Sequence, residues 1–144
     1  MEQQPSIKGL ANTPLVNVVR GAIPGPNPVG IEEHDDVGHL VLRGDATQLA
    51  SAVTEVLDLA FPDQPLSSCS RDRTCIRWIS PDEWLVTVPG TETSSVESSL
   101  RDAIVGHVAI VNVSGGHTIV HLTGKHASDV LMKSTSYDVH ELNF

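Results

Sequence analysis

His39-Leu40-Val41-Leu42-Arg43-Gly44-Asp45 is a run of strand formers cut off by a glycine and followed by a helix-capping residue. An apolar run this short, closed by glycine, reads as a strand. Asp45 fits the N-cap of a helix, because its carboxylate can accept from the free N–H groups of a first helical turn. Leu49, Val53, Val56, Leu57 and Ala60 then recur at helical spacing, with Gln48, Ser51, Glu55 and Asp58 on the other side. The pattern predicts a helix that stops at Phe61-Pro62, where proline forbids continuation.

Towards the C-terminus, Cys75 to Ile79 and Trp84 to Val88 are two runs of β-formers around the turn Ser80-Pro81-Asp82-Glu83. Ser94-Ser95-Val96-Glu97 has the form of a capping box. It opens a second helix burying Val96, Leu100, Ala103 and Ile104. Val108 to Val113 and Thr118 to Leu122 flank Gly115-Gly116, which suits the positive φ of a two-residue hairpin turn. That register predicts Val113 opposite Thr118, Val111 opposite Val120 and Ala109 opposite Leu122. A third helix after Gly124 is expected to bury Ala127, Val130 and Leu131. The order β-α-β-β-α-β-β-α predicts an α+β fold, an antiparallel sheet with helices on one face, whose first six elements form a ferredoxin-like split βαβ core. His39 to Ala46 and Ile119 to Ala127 echo each other as strand, glycine, helix.

Towards the N-terminus the pattern dissolves. Pro14, Pro24, Pro26, Pro28, Gly21, Gly25 and Gly30 break any regular element, so residues 1–37 are expected to form an extended arm and residues 38–144 the domain. Leu15, Val16, Val18, Val19 and Ile23 are too apolar for a solvated linker. Such an arm lies either over its own domain or on a partner.

The 144 residues suit one domain, 40% apolar and with few aromatics, so the expected core is aliphatic. A net charge of −9 with no basic cluster excludes nucleic acid and an anionic membrane as natural partners. The lack of a long apolar stretch and of signal-peptide character points to the cytoplasm. There the two cysteines, Cys69 and Cys75, are expected to be free thiols.

The sequence resembles the gamma subunit of heterotetrameric sarcosine oxidase, a small member of the fold group typified by the aminomethyltransferase of glycine cleavage. The resemblance is carried in order by Leu42-Arg43-Gly44-Asp45, Ser80-Pro81-Asp82-Glu83-Trp84-Leu85, Val111-Asn112-Val113-Ser114-Gly115-Gly116-His117-Thr118, Leu122-Thr123-Gly124, Val130-Leu131 and Tyr137-Asp138-Val139-His140. Together they span Gly38 to His140. Asn112 stands where the family usually has Asp, Lys125 where Pro is common, and Glu141 where Pro often follows the histidine. Family members continue past the point reached here at Asn143-Phe144, so the resemblance implies a domain lacking the family's C-terminal strands.

The resemblance also implies a reaction carried by other chains. In such oxidases the beta subunit holds FAD and covalent FMN and oxidises sarcosine. The alpha subunit holds NAD and a tetrahydrofolate site, and the delta subunit binds zinc. Gamma carries no known cofactor and its role is structural. The leading expectation is thus a non-catalytic subunit with alpha, beta and delta partners. The alternatives are a stand-alone folate-binding domain and a generic protein-interaction domain.

The residues themselves give no catalytic, cofactor or metal site. Seven histidines, His34, His39, His107, His117, His121, His126 and His140, show no spacing that gathers three ligands. On one strand His117 and His121 would stand roughly 13 Å apart, too far for one ion. Cys69 and Cys75 lack a neighbouring base, although Arg71 and Arg73 lie between them. Ser114-Gly115-Gly116 joins two predicted strands, so it is neither a nucleophile elbow nor a phosphate loop. Arg43-Gly44-Asp45 spells an adhesion tripeptide but serves as a strand end and cap. Asp82, Glu83 and Trp84 are accounted for by turn and core duty.

Overall fold

The computed structural model of the chain describes Leu15 and residues 29–140. Residues 1–14, 16–28 and 141–144 lie outside the described residues, and with them most of the apolar arm and Glu141.

The described elements run β1 (Gly30–His34), β2 (Val37–Arg43), α1 (Ala46–Leu57), β3 (Ser68–Arg71), β4 (Thr74–Ser80) and β5 (Glu83–Pro89). A 3₁₀ turn at Gly90–Glu92 leads into α2 (Thr93–Ala103), followed by β6 (Ala109–Asn112), β7 (Ile119–Thr123) and α3 (Ala127–Ser134). Five strands form an antiparallel sheet in the order β3-β4-β5-β2-β6. β2 and β4 both run antiparallel to β5, which lies between them, and β5 and β6 likewise flank β2. These are two interleaved split βαβ units.

Alternation along the strands puts Leu40, Leu42, Ile76, Trp84, Val86, Val88 and Ile110 on one face of this sheet. Leu49, Ala52, Val53 and Leu57 of α1 and Leu100 of α2 pack against them. The core is aliphatic apart from Trp84. Its indole is 1% exposed, lies 4.7 Å from the Phe61 ring and donates to the Pro62 carbonyl at 2.8 Å.

The cap of α1 forms as expected, with Thr47 N donating to Asp45 Oδ1 at 2.8 Å. The helix stops before Phe61-Pro62, however. Asp58 turns left-handed at φ 51° and its N–H closes on Thr54 O. The chain then runs on irregularly, which lets Leu59 and Phe61 reach the core without helical geometry. The capping box does not form either: α2 begins at Thr93, and Glu97 pairs with Arg101 at 2.8 Å.

The largest departure is at Gly115-Gly116. Val113 to Gly116 closes as a 3₁₀ turn, and the flanking strands separate. β6 pairs with β2, and β7 pairs with β1 in a two-stranded ribbon. The hairpin of Val113 with Thr118, Val111 with Val120 and Ala109 with Leu122 is therefore not made. Two longer-range partners outcompete the local turn. Gly30–His34, within the stretch read as arm, supplies one of them. α3 forms after Gly124, but it buries none of its residues fully, and Leu131 is exposed.

Candidate functional site

The face of the five-stranded sheet opposite α1 and α2 is the first feature the fold leaves open. Register places Val111, Val41, Leu85 and Arg77 in one row across β6, β2, β5 and β4. Ala109 lies on the same face one pleat away, and Ile79 sits at the bulge between Trp78 and Ser80 at the end of β4. Val111 and Ile79 are each 49% exposed, and Val41 and Leu85 are half-buried. An antiparallel sheet can face water on one side, but polar residues then dominate that side. Here His39, Arg43, Thr87 and Arg77 share the face with an unbroken aliphatic row, Val111, Val41 and Leu85.

At one end of this face the segment Asn112 to Thr118 acts as a clasp. Ser114 Oγ accepts from His39 N at 2.9 Å, and Val113 N donates to His39 O at 2.9 Å, extending the β2–β6 ladder past its last strand pair. Asn112 Oδ1 accepts from both Ser114 N at 3.1 Å and Ser114 Oγ at 2.7 Å. Only the side-chain oxygen is used, so an aspartate at this position would hold Ser114 as well. Thr118 then donates to Glu33 Oε1 at 2.8 Å, tying the clasp to β1. This motif is thus a joint between the sheet and the ribbon.

His117 folds back over His39, ring centroids 5.8 Å apart. His39 is 3% exposed although it lies on the open face. Burial first, then the His117 imidazole and more weakly the Arg77 guanidinium, hold its pKa below the ordinary 6.5, against an upward pull from the Val37 backbone.

The other residues considered from the sequence scatter. Cys69 and Cys75 are free and occupy adjacent register positions of the β3–β4 pair, so they face opposite sides of the sheet. Burial pushes the Cys75 thiol up, outweighing the nearby Arg77 charge, which is the reverse of activation. Arg71 pairs with Asp58 and Arg73 with Asp36 at 3.1 Å, away from either thiol. Asp82 sits in the β4–β5 turn, where the Arg43 guanidinium at 3.0 Å and the Ser80 hydroxyl hold its carboxyl below the usual range. His126 opens α3 beside Asp129 at 2.7 Å.

One cluster is not legible in the sequence. Glu32 faces His121 across the β1–β7 pair, and His34 stands on the same face. One ligand-capable atom from each lies within 4.8 Å of the others. Glu32 gives no signal along the chain because a proline- and glycine-broken stretch conceals the Glu-x-His alternation of a strand. A groove of about 440 Å³ lined by Asp35, Asp36, Gly38, Thr93, Asn112 and Ser114 opens nearby. Among the described residues no helix is long and apolar enough to cross a membrane.

Fold and site together define an α+β domain of the ferredoxin-like class with an aliphatic row on the sheet face opposite its two core helices. Comparison with known proteins gives it a family. The sequence matches the profile described as the sarcosine oxidase, gamma subunit family over residues 43–144, and the chain belongs to that family. Its fold is similar to a chain of the heterotetrameric sarcosine oxidase from Corynebacterium sp. U-96, solved in complex with pyrrole 2-carboxylate. The TM-score is 0.74 at 22% identity, covering 85% of this chain and 64% of that one. The chain thus spans less than two thirds of the solved chain it matches, and at this identity the likeness is one of fold. No curated protein matches the sequence.

Proposed function

We propose that this chain is the non-catalytic gamma subunit of a sarcosine oxidase-like complex. The complex oxidatively demethylates sarcosine to glycine and reduces oxygen to hydrogen peroxide. The one-carbon unit passes to tetrahydrofolate or leaves as formaldehyde. Alpha, beta and delta chains are the partners, and FAD, FMN, NAD, tetrahydrofolate and zinc belong to them.

The observation that carries this reading is the aliphatic row Val111, Val41 and Leu85 on a sheet face that no helix of the core layer covers. Such a surface is stable in water only at a cost that a docked partner removes. The stand-alone folate reading finds less support. The groove near the clasp is lined by Asp35 and Asp36 and has no aromatic wall, so it would repel folate's carboxylates and offer its pterin nothing to stack on.

Co-expression with the flavin-binding and folate-binding partner chains, followed by size exclusion, tests the proposal. The chain is expected to elute with its partners. Elution of this chain alone, while the others assemble, would refute it.

A further inference from the structure

We propose that Glu32, His34 and His121 form a binding site for a first-row divalent transition-metal ion, with zinc as the fitting occupant. The proposal goes beyond the subunit reading and does not depend on it.

The geometry comes from the ribbon. β1 and β7 pair Gly30 with Thr123, Glu32 with His121 and His34 with Ile119, so Glu32, His34 and His121 share one face. Directly opposed residues on one face bring their Cβ atoms about 5 Å apart, and diagonal neighbours remain within reach of long side chains. The rings of His34 and His121 meet edge to face with centroids 5.6 Å apart. A ligand-capable atom from each of the three residues lies within 4.8 Å of the others. With metal–ligand bonds of about 2.0–2.2 Å, tetrahedral ligand atoms stand about 3.4 Å apart, so small rotations of three exposed side chains close the set.

The donors select the ion. Two imidazole nitrogens and one carboxylate oxygen suit zinc and its transition-metal neighbours. They are too few and too soft for calcium or magnesium, and they lack the sulfur that favours monovalent copper. All three residues are exposed, which leaves the fourth position to water or to a ligand from outside the chain.

The framework is held in place from the other side. Glu33, buried and pointing to the opposite face of β1, accepts from Thr118 at 2.8 Å. That bond fixes β1 against the chain entering β7 and sets the ligand register before any ion arrives. The ribbon gains in return. β1 and β7 pair with no other described strand, and a two-stranded ribbon is marginal alone. An ion held by both strands would lock segments far apart in sequence.

Titration calorimetry of the full, tag-free, chelator-treated chain with zinc sulfate tests the site, with amide hydrogen exchange as a second readout. One ion per chain is expected, with slower exchange across β1 and β7. Glu32→Gln, His34→Gln and His121→Gln should each weaken binding by at least about tenfold, the scale on which even outer-shell changes act. His126→Gln, at the start of α3, should bind as the parent does. Absence of binding up to about 1 mM zinc would overturn the proposal. So would binding that survives all three ligand substitutions, or binding that leaves ribbon exchange unchanged.

Discussion

Val41 stands directly across from Val111 in the β2–β6 pairing, and on its other side from Leu85 in the β2–β5 pairing. The row runs over the sheet face that α1 and α2 do not cover. In the isolated chain it loses part of the benefit that apolar burial gives, about 25 cal/mol for each Å² still wet. A subunit interface restores that benefit, and this is the physical core of the functional reading.

Val111→Glu separates docking from folding. The side chain is 49% exposed, so the change should leave the isolated chain's stability within about 0.5 kcal/mol. In the assembly it buries a charge, and co-elution with the partner chains should fall sharply. Unchanged co-elution would remove the open face from the interface.

Removing Met1 to Pro28 ends just short of Val29, which is buried, and of β1. The melting temperature of the remaining chain is therefore expected to change little. Recovery of the assembled complex is expected to drop, as the reading of the apolar Leu15 to Ile23 stretch as partner-facing requires. Equal recovery with and without these residues would dispose of that role.

Trp84 bears the heaviest packing load. Trp84→Ala should cost about 3–5 kcal/mol in urea unfolding through the cavity left among aliphatic neighbours. Trp84→Phe should cost less, about 1–3 kcal/mol, largely from leaving the Pro62 carbonyl unpaired.

Gly38 meets α2 so closely that a Cβ there would overlap the Thr93 side chain. Gly38→Ala should destabilise by about 1–3 kcal/mol. Combined with Thr93→Ala it should cost less than the two changes summed, since the clash disappears with its partner. Strict additivity would show that backbone freedom, and not contact, sets the cost.

His39 gives the pH dependence its sign. Its pKa in the fold lies below the ordinary 6.5, so the unfolded chain binds the proton more readily. The stability this group contributes is complete above 6.5 and is lost as pH falls through the folded value. Melting temperature should therefore decline as pH falls below about 6.5, less steeply in His39→Gln. Identical slopes in both proteins would contradict the burial argument.

An element is legible in this sequence to the degree that its signal is local. β2, α1, β4, β5 and α2 each carry their own period, and the split βαβ core is assembled from those five plus β6. Gly115-Gly116 is as local as any, yet it misleads. β2 offers β6 a ladder that His39 and Ser114 extend, and β1 offers β7 another. β1 itself is hidden by the glycines and prolines around it. β3, Ser68-Cys69-Ser70-Arg71, has no apolar alternation and exists because β4 is there to pair with it. The Glu32, His34 and His121 cluster depends on β1 pairing β7, so no spacing along the chain could reveal it. That Cys69 and Cys75 are unbridged is readable for the opposite reason, since it needs no long-range pairing.

The most direct test of the central claim is native mass spectrometry of the complex purified through a tag on its flavin-binding chain. One copy of this polypeptide in each assembly, lost on Val111→Glu, is the predicted result. An active oxidase whose mass contains no copy of it would contradict the assignment.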